Sequence, residues 1–429
     1  MYCGSCLRDN ALAAALTRLD VDVHLLPLYT PIRTDEQDMS VDRVFFGGIN
    51  VFLQQKIPLF RYLPTVVDRF LDRPGLIRWA ASRGMETDAK QLGALAVSML
   101  RGTSGYQRKE VRKLVSWLAR SVKPQLVNLS NMLIAGCVPD LKDALGAPVL
   151  VTLQGDDLFL DELTEPYRSD ALAEIRRLVS HVDGFIVFSR YYADFMSQYL
   201  AISPDRFRIV PMGVDAGVFQ NHQLDGGNCR PVSDSVVDRP ATIGYLARLC
   251  PAKGLHVLVD AFIRLRRQHG RGARLNIAGW LSEGDRAYAE REFAKLRSAG
   301  LGGDFHYAGT VDRRQKVEFL HGLDVLSVPT TYREPKGIYV LEALAACVPV
   351  VQPEHGAFAE LLAATGGGRL VRPNDPWHLA ETLDELLGDA AARTELARQG
   401  HQTVQSRFST DAMAEATLEV YREYLGESD

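Results

Sequence analysis

LDVLSVPTTYREPKGIYVLEALAACVPVV, residues Leu323 to Val351, holds three pieces of structure in one line. Val325 to Val328 reads as a short buried strand, Thr330 to Lys336 as a polar loop at its carboxyl end, and Gly337 as the opening of an apolar helix that runs to about Cys347. Strand, loop and helix in that order form the unit of a doubly wound parallel sheet, whose ligands sit where the loops leave the strands. The N–H groups of Gly337, Ile338 and Tyr339 lack partners inside the helix and have a positive dipole behind them, so together they suit a diphosphate. Glu342 lies within the apolar helix, where an ionised carboxylate needs donors such as hydroxyls. Glu334 stands eight positions earlier, in the loop, and the two carboxylates would bracket a nucleotide-sugar; an ordinary loop glutamate and a helix glutamate bonded to neighbouring chain fit the same spacing.

Upstream, Gly244 to Phe262 (GYLARLCPAKGLHVLVDAF) repeats the order of strand, loop and amphipathic helix, with Arg248 and Lys253 in the loop. Two cations at a strand's carboxyl end can neutralise a pyrophosphate leaving group as its bond breaks. Alone, such residues more often face water; the two glutamates alter that balance. Further outward, Val21 to Tyr29, Leu126 to Leu129, Val149 to Leu153 and Gly184 to Phe188 read as strands between helical stretches, and Ala241 to Leu246 and Leu275 to Ala278 resume the alternation. Gln220 to Pro240 is polar, contains Gly and Pro and follows neither period, so it is the linker between residues 1–219 and 241–410. Asp411 to Leu425 places Met413, Ala416, Val420, Tyr421 and Tyr424 at helical spacing, an amphipathic helix that must dock. The class is α/β with two doubly wound domains.

Composition sets the limits of this reading. A chain of 429 residues, 46% hydrophobic and 24% charged, exceeds the roughly 250–300 residues at which one core stops growing, so two cores are expected. Its 49 Lys and Arg against 53 Asp and Glu exclude a protein built overall to coat nucleic acid. Six scattered cysteines read as reduced thiols of a cytosolic protein, and no apolar run reaches the about 18 residues that cross a bilayer. Cys3 and Cys6 form a C-x-x-C without a second pair or a suitably spaced His, so tight packing is favoured over a redox or zinc site and no metal is expected.

Together the quoted segments resemble the nucleotide-sugar domain of the retaining group 1 glycosyltransferases, family 4 in the usual sequence classification. Residues 247–262 follow that family's G-R-L-x-x-x-K-G-x-x-x-L-x-x-A-F block with Ala247 for its first Gly, and Glu334 to Glu342 its E-x(7)-E block. Similar too are Leu275 to Gly279, Tyr307 to Val311 and Val348 to Val351, and in the first half Asp183 to Arg190 and the segment Pro211, Gly213, Val214, Asp215 and Phe219. Ordered matches run from about residue 145 to 425. The resemblance implies a GT-B fold, two Rossmann-like domains facing a cleft, with the C-terminal helix (about 411–429) joining residues 1–219. It implies transfer of a sugar from a nucleoside diphosphate to an acceptor with retained configuration and no bound cofactor or metal. In it Arg248 and Lys253 hold the diphosphate with Gly337, Ile338 and Tyr339, Glu342 the ribose hydroxyls, Glu334 the donor sugar behind the reacting carbon, and Gly309, Thr310 and Val311 border the base. Gly4 and Ser5 occupy the place of the family's N-terminal glycine loop. A nucleotide-sugar epimerase of related fold, or a non-catalytic binding module, shares part of this pattern, and product analysis separates them.

Several features depart from the family. Lys336 adds a cation where many members have Phe, suiting an acidic donor sugar or extra diphosphate binding as well as solvent. Gln154 stands where many have His, followed by Asp156 and Asp157, which are either acceptor-binding carboxylates or a routine turn and helix start. Met1 leads at once into Tyr2-Cys3-Gly4-Ser5-Cys6 and a helix, without the buried strand that normally opens such a domain; either the start lies upstream or another segment fills the slot. The insert 56–120 holds 13 Lys or Arg against 5 Asp or Glu, with Phe60, Tyr62, Phe70 and Trp79 among them. That suits peripheral contact with the inner membrane face or an anionic acceptor such as a lipid phosphate; a nucleic-acid groove would look similar, and a solvated helical subdomain around its own aromatics fits the same residues. Gly48 to Leu53 resembles the start of the acceptor domain in glycogen and starch synthases, which points instead to a glucan.

Overall fold

A computed structural model describes residues 4–28, 32, 34, 36–41, 43–46, 48–61, 89–219, 229 and 239–427. Cys3, the aromatics Tyr62, Phe70 and Trp79, and the linker apart from Cys229, Arg239 and Pro240 lie outside the described residues. The chain divides into two compact units, Tyr2–Val210 with Ala414–Asp429, and Pro211–Met413. No helix among the described residues is long and apolar enough to cross a membrane.

The first unit holds four parallel strands in the order β1 (Val127–Leu129), β2 (Val149–Thr152), β3 (Gly184–Val187) and β4 (Phe207–Ile209). Registers of Val127 to Val149, Leu150 to Gly184 and Phe185 to Phe207 keep the carboxyl ends level. Every residue of β2 and β3 is buried, as continuous apolar runs covered by helices on both faces require. Each helical crossover has its own stop or start: Ser189 caps Arg190–Leu200 by accepting from Tyr192 N at 3.2 Å, and Gly146 ends Val138–Leu145 in the left-handed region at φ 63°. Of the basic insert, Ala89–Leu100 and Arg108–Trp117 are helices that send Val97, Leu100, Val111 and Leu114 into this unit's core. From Ala414 onward the helix Thr410–Leu425 belongs here too: Tyr421 Oη accepts from Asn128 Nδ2 at 2.8 Å and Glu423 pairs with Arg208.

Of the expected strand Val21 to Tyr29, the described residues, Val21 to Leu28, form no ladder. Among the described residues they make single bridges, Leu25 to Ser40 and Leu28 to Phe45; Pro27 between them has no N–H to give a ladder, and its carbonyl accepts from Phe45 N at 3.2 Å.

The second unit holds six parallel strands in the order β10-β9-β8-β5-β6-β7: β5 Ala241–Leu246, β6 Ala273–Ala278, β7 Phe305–Tyr307, β8 Val325–Leu326, β9 Val350–Pro353 and β10 Gly368–Val371. β5 is its first strand and lies centrally, against β6 on one side and β8 on the other. The chain thus winds one way from β5 to β7 and the other from β8 to β10. The crevice at the carboxyl ends of β5 and β8 is the switch point at which such sheets take ligands.

Two of the six cysteines depart from the reduced, unpaired reading, whereas Cys6, Cys137 and Cys250 remain thiols. Cys229 and Cys347 are joined in a disulfide that ties a residue of the linker to the turn after the helix Ile338–Ala345. His401 lies close by, with a ring nitrogen and both Sγ atoms within 4.8 Å of one another, but sulfurs bonded to each other are not thiolate ligands for a metal.

Candidate functional site

Two loops meet at the switch point. The first leaves β5, passes Arg248 and turns through Pro251–Lys253 into the helix Leu255–Gln268. Gly254 makes that turn possible: its φ is 72°, and a Cβ there would stand 1.8 Å from the carbonyl oxygen of Pro329. Only glycine lets the loops touch so closely, and the contact carries Lys253 against the second loop, which leaves β8 and runs to Gly337. Gly356, with φ 60°, packs on the backbone of Glu334 from beyond β9, where Ala357 N donates to the Glu334 carbonyl at 2.8 Å.

Glu334 is the centre of the cluster and is 4% exposed. Its Oε2 accepts from Lys253 Nζ at 2.6 Å, from Tyr332 Oη at 2.5 Å and from Tyr339 Oη at 3.5 Å, and its Oε1 from Lys336 N at 3.3 Å. Lys253 Nζ also donates to Tyr332 Oη at 2.6 Å and faces the Tyr332 and Tyr339 rings at 5.0 and 5.2 Å. Burial alone would lift the Glu334 carboxyl; the charge and hydrogen bond of Lys253, the Tyr332 hydroxyl and the charge of Lys336 override it and hold it down at about 2. Burial and the adjacent Glu334 charge push the Tyr332 phenol far up, so it stays a donor. Arg248 is exposed, and its carbonyl accepts from Tyr245 Oη at 3.0 Å.

Gly337 begins the helix Ile338–Ala345, whose first internal bond is Val340 N to the Gly337 carbonyl at 2.9 Å; the N–H groups of Ile338 and Tyr339 precede it and face the loop end. Glu342, 9% exposed, does not wait for hydroxyls alone: Lys316 Nζ lies 2.6 Å from its Oε1. Lys316 comes from the helix Arg313–His321, which opens just after Gly309 and Thr310 with a capping box of Asp312 and Gln315. Gly309 stands at the end of the β7 loop, its carbonyl accepting from Gly279 N at 2.8 Å, and Thr310 is exposed.

The sequence reading thus finds Lys253, Glu334, Lys336 and Tyr339 in one cluster, with Gly337, Ile338 and Glu342 on the adjoining helix. It missed Tyr332 and Lys316. Tyr332 lies in the quoted loop two residues before Glu334, where an aromatic among polar residues was the available signal; Lys316 on a half-exposed helix gave none.

In the other unit, Gly4 and Ser5 open the helix Gly4–Arg18 and are half-buried. Asp156 and Asp157 lie buried in the first turn of the helix Asp156–Glu162. Asp156 accepts from the N–H of Met132 at 2.6 Å and of Gln154 at 3.0 Å, and Asp157 from Tyr192 Oη at 2.6 Å. Burial lifts the Asp156 carboxyl to about 6 against those two bonds. Gln154 reaches Asp9 and the Ser130 carbonyl.

Residues 10–218 match the family model described as Glycosyltransferase Family 4, and residues 233–403 that described as Glycosyl transferases group 1. A glycogen synthase of Mycobacterium tuberculosis is 33% identical over 183 residues, 42% of each chain. A D-inositol 3-phosphate glycosyltransferase of Xylanimonas cellulosilytica is 28% identical over 249 residues, 57% of this chain and 58% of that one. The chain thus spans about half the length of the curated relatives it matches. The solved structure of HepE from Anabaena in complex with UDP superposes with a TM-score of 0.63 at 18% identity, over 75% of this chain and 84% of that one, a likeness of fold.

Proposed function

This chain belongs to the group 1, family 4 glycosyltransferases with the GT-B fold, and from that premise we propose that it transfers a sugar from a nucleoside-diphosphate sugar to an acceptor, with retained configuration and without a metal. One observation supports this most: Lys253, held by Glu334 and Tyr332 beside the start of the helix Ile338–Ala345. In this reading Arg248, Lys253 and the N–H groups of Gly337, Ile338 and Tyr339 take the diphosphate, and stabilise it as the bond between the anomeric carbon and its oxygen breaks. Glu342, oriented by Lys316, accepts from the ribose hydroxyls, and Gly309 and Thr310 border the base. Glu334, kept ionised by its neighbours, faces the donor sugar behind the reacting carbon and stabilises the positive charge that develops there. Retention brings the acceptor oxygen in on the leaving-group side, where the departing phosphate oxygen is the nearest base for its proton.

The experiment is thermal unfolding of the chain against UDP-, GDP- and ADP-sugars, followed by product analysis with the donor that shifts it. A selective shift that Lys253→Ala abolishes is the expected result. No shift with any of the three classes would remove the proposed donor site.

A further inference from the structure

At the carboxyl ends of β1, β2 and β3 the fold leaves buried polar atoms unpaired. Arg8, in the second turn of the helix Gly4–Arg18, is 2% exposed. Its Nη1 donates to Asp9 Oδ1 at 2.8 Å, and its guanidinium lies 5.2 Å from the ring centre of Phe188, just past β3. Its Nε and Nη2 are buried without a partner. Gln154, just past β2 and 6% exposed, donates through Nε2 to the two Asp9 oxygens at 3.2 and 3.3 Å and to the Ser130 carbonyl at 3.1 Å. Those acceptors fix the amide's orientation and leave its Oε1 buried and unpaired. Asn131, just past β1, keeps an unpaired Oδ1 as well. One carboxylate, Asp9, therefore ties Arg8 to Gln154 where three parallel strands end. Unpaired donors of a buried charge are costly, and in a folded protein they call for an occupant.

The chemistry of these atoms selects that occupant. Nε and Nη2 share one edge of the guanidinium, with parallel N–H bonds that fit two oxygens of a phosphate or carboxylate. Gln154 Oε1 is an acceptor and takes a hydroxyl. We propose that Arg8, Gln154 and Asn131 form the acceptor subsite, and that the acceptor is a sugar or polyol carrying a phosphate or carboxylate near a free hydroxyl. The anion sits on the unpaired edge of Arg8 and the hydroxyl on Gln154 Oε1; Asp9, half-buried like Ser130 and Asn131, is a positioning residue that holds both side chains. A neutral glucan would satisfy Gln154 and leave Arg8 unpaired, so the orphaned guanidinium edge favours the anionic class. This assignment rests on the transferase reading above.

Calorimetric titration of the full chain tests it, with glucose 6-phosphate, D-inositol 3-phosphate, glucuronate, inorganic phosphate, glucose, inositol and maltoheptaose, each with and without UDP. An anionic polyol is expected to bind the wild type more tightly than inorganic phosphate or its neutral counterpart, the phosphate and carboxylate members showing which anion is taken. Arg8→Gln should weaken that binding by roughly ten- to hundredfold, the scale of hydrogen bonds to a charged group. Arg8→Lys keeps charge and approximate volume but lacks the fork; it should lose about tenfold, and it carries the test should Arg8→Gln fail to fold. UDP binding in both variants should match the wild type, and UDP binding in the wild type tests the transferase reading separately. The proposal is overturned if no anionic polyol binds, if only maltoheptaose binds, or if Arg8→Lys binds the anion as the wild type does.

Discussion

At the ends of β5 and β8 the buried charges already have partners: Lys253 has Glu334, and Lys316 has Glu342. At the ends of β1, β2 and β3, Arg8 engages one nitrogen with Asp9 and leaves two without a partner, beside two amide oxygens in the same condition. The first arrangement is complete without ligand, and a bound diphosphate must share Lys253 with Glu334. The second is completed only by what binds. Substitutions at β5 and β8 should therefore damage stability and turnover together, whereas substitutions at Arg8 should damage binding and leave the fold nearly as stable.

Lys253→Ala should give the largest effect. It removes the leaving-group cation, for a loss of roughly a hundred- to thousandfold in turnover, and it leaves the Glu334 carboxylate buried without its cation, for a loss of about 3–5 kcal/mol of stability. Transfer assays and urea unfolding read the two separately. Near wild-type turnover would break the comparison at its stronger end.

The disulfide adds a covalent tie to the same unit. Cys229 and Cys347 are 118 residues apart, and closing so long a loop restricts the unfolded chain. Cys347→Ser should lower stability by roughly 2–5 kcal/mol under oxidising conditions. Urea midpoints with and without reductant check it; identical midpoints would mean that the thiols are reduced in solution, as the scattered cysteines alone suggested.

The two regions should also answer pH with opposite signs. Asp156 beside Gln154 has its carboxyl raised from an ordinary 3.8 to about 6, chiefly by burial. Its contribution to stability is thus fully present below pH 3.8 and lost as pH rises through 6, an effect of about 1–3 kcal/mol. Glu334 runs the other way, its carboxyl held at about 2 against an ordinary 4.5, so its contribution is present above 4.5 and lost as pH falls through 2. Urea unfolding of wild type and Asp156→Asn from pH 4 to 7 should show the wild type losing stability relative to the variant as pH rises. A constant difference would mean that Asp156 titrates normally.

The contrast also explains what could be read in advance. Continuous apolar runs made β2, β3 and β5 legible, and the turn at Gly254 and the loop from Thr330 to Gly337 placed Lys253 and Glu334 at neighbouring strand ends. Strand order and a short loop suffice for that, because both residues are fixed close to their strands. Lys316 with Glu342, Cys229 with Cys347, and Arg8 with Gln154 through Asp9 depend on how segments far apart in the chain meet. Helical spacing shows which face of Arg313–His321 is buried, not which carboxylate its Lys316 will meet. Two local signals were there to be used, Tyr332 among the polar residues of its loop and Pro27 in a run whose apolar residues otherwise read as a strand.

Tyr332→Phe sharpens the comparison with the smallest change, one oxygen atom. That oxygen donates to Glu334 and accepts from Lys253, so its loss leaves the carboxylate one donor short while the ion pair remains. A buried carboxylate that loses a donor moves back towards its ordinary range, so the Glu334 carboxyl should rise from about 2. Its stabilising contribution then begins to fail at higher pH, and the acid limb of kcat/KM should shift up with it. At neutral pH the cost should be about 1 kcal/mol, near tenfold in turnover at most. Arg8→Lys leaves this cluster untouched and should not move that limb. Profiles of kcat/KM from pH 3 to 7 for the wild type and both variants distinguish the two regions: an unmoved limb in Tyr332→Phe would mean that Lys253 alone holds Glu334 ionised, and the second donor would drop out of the account.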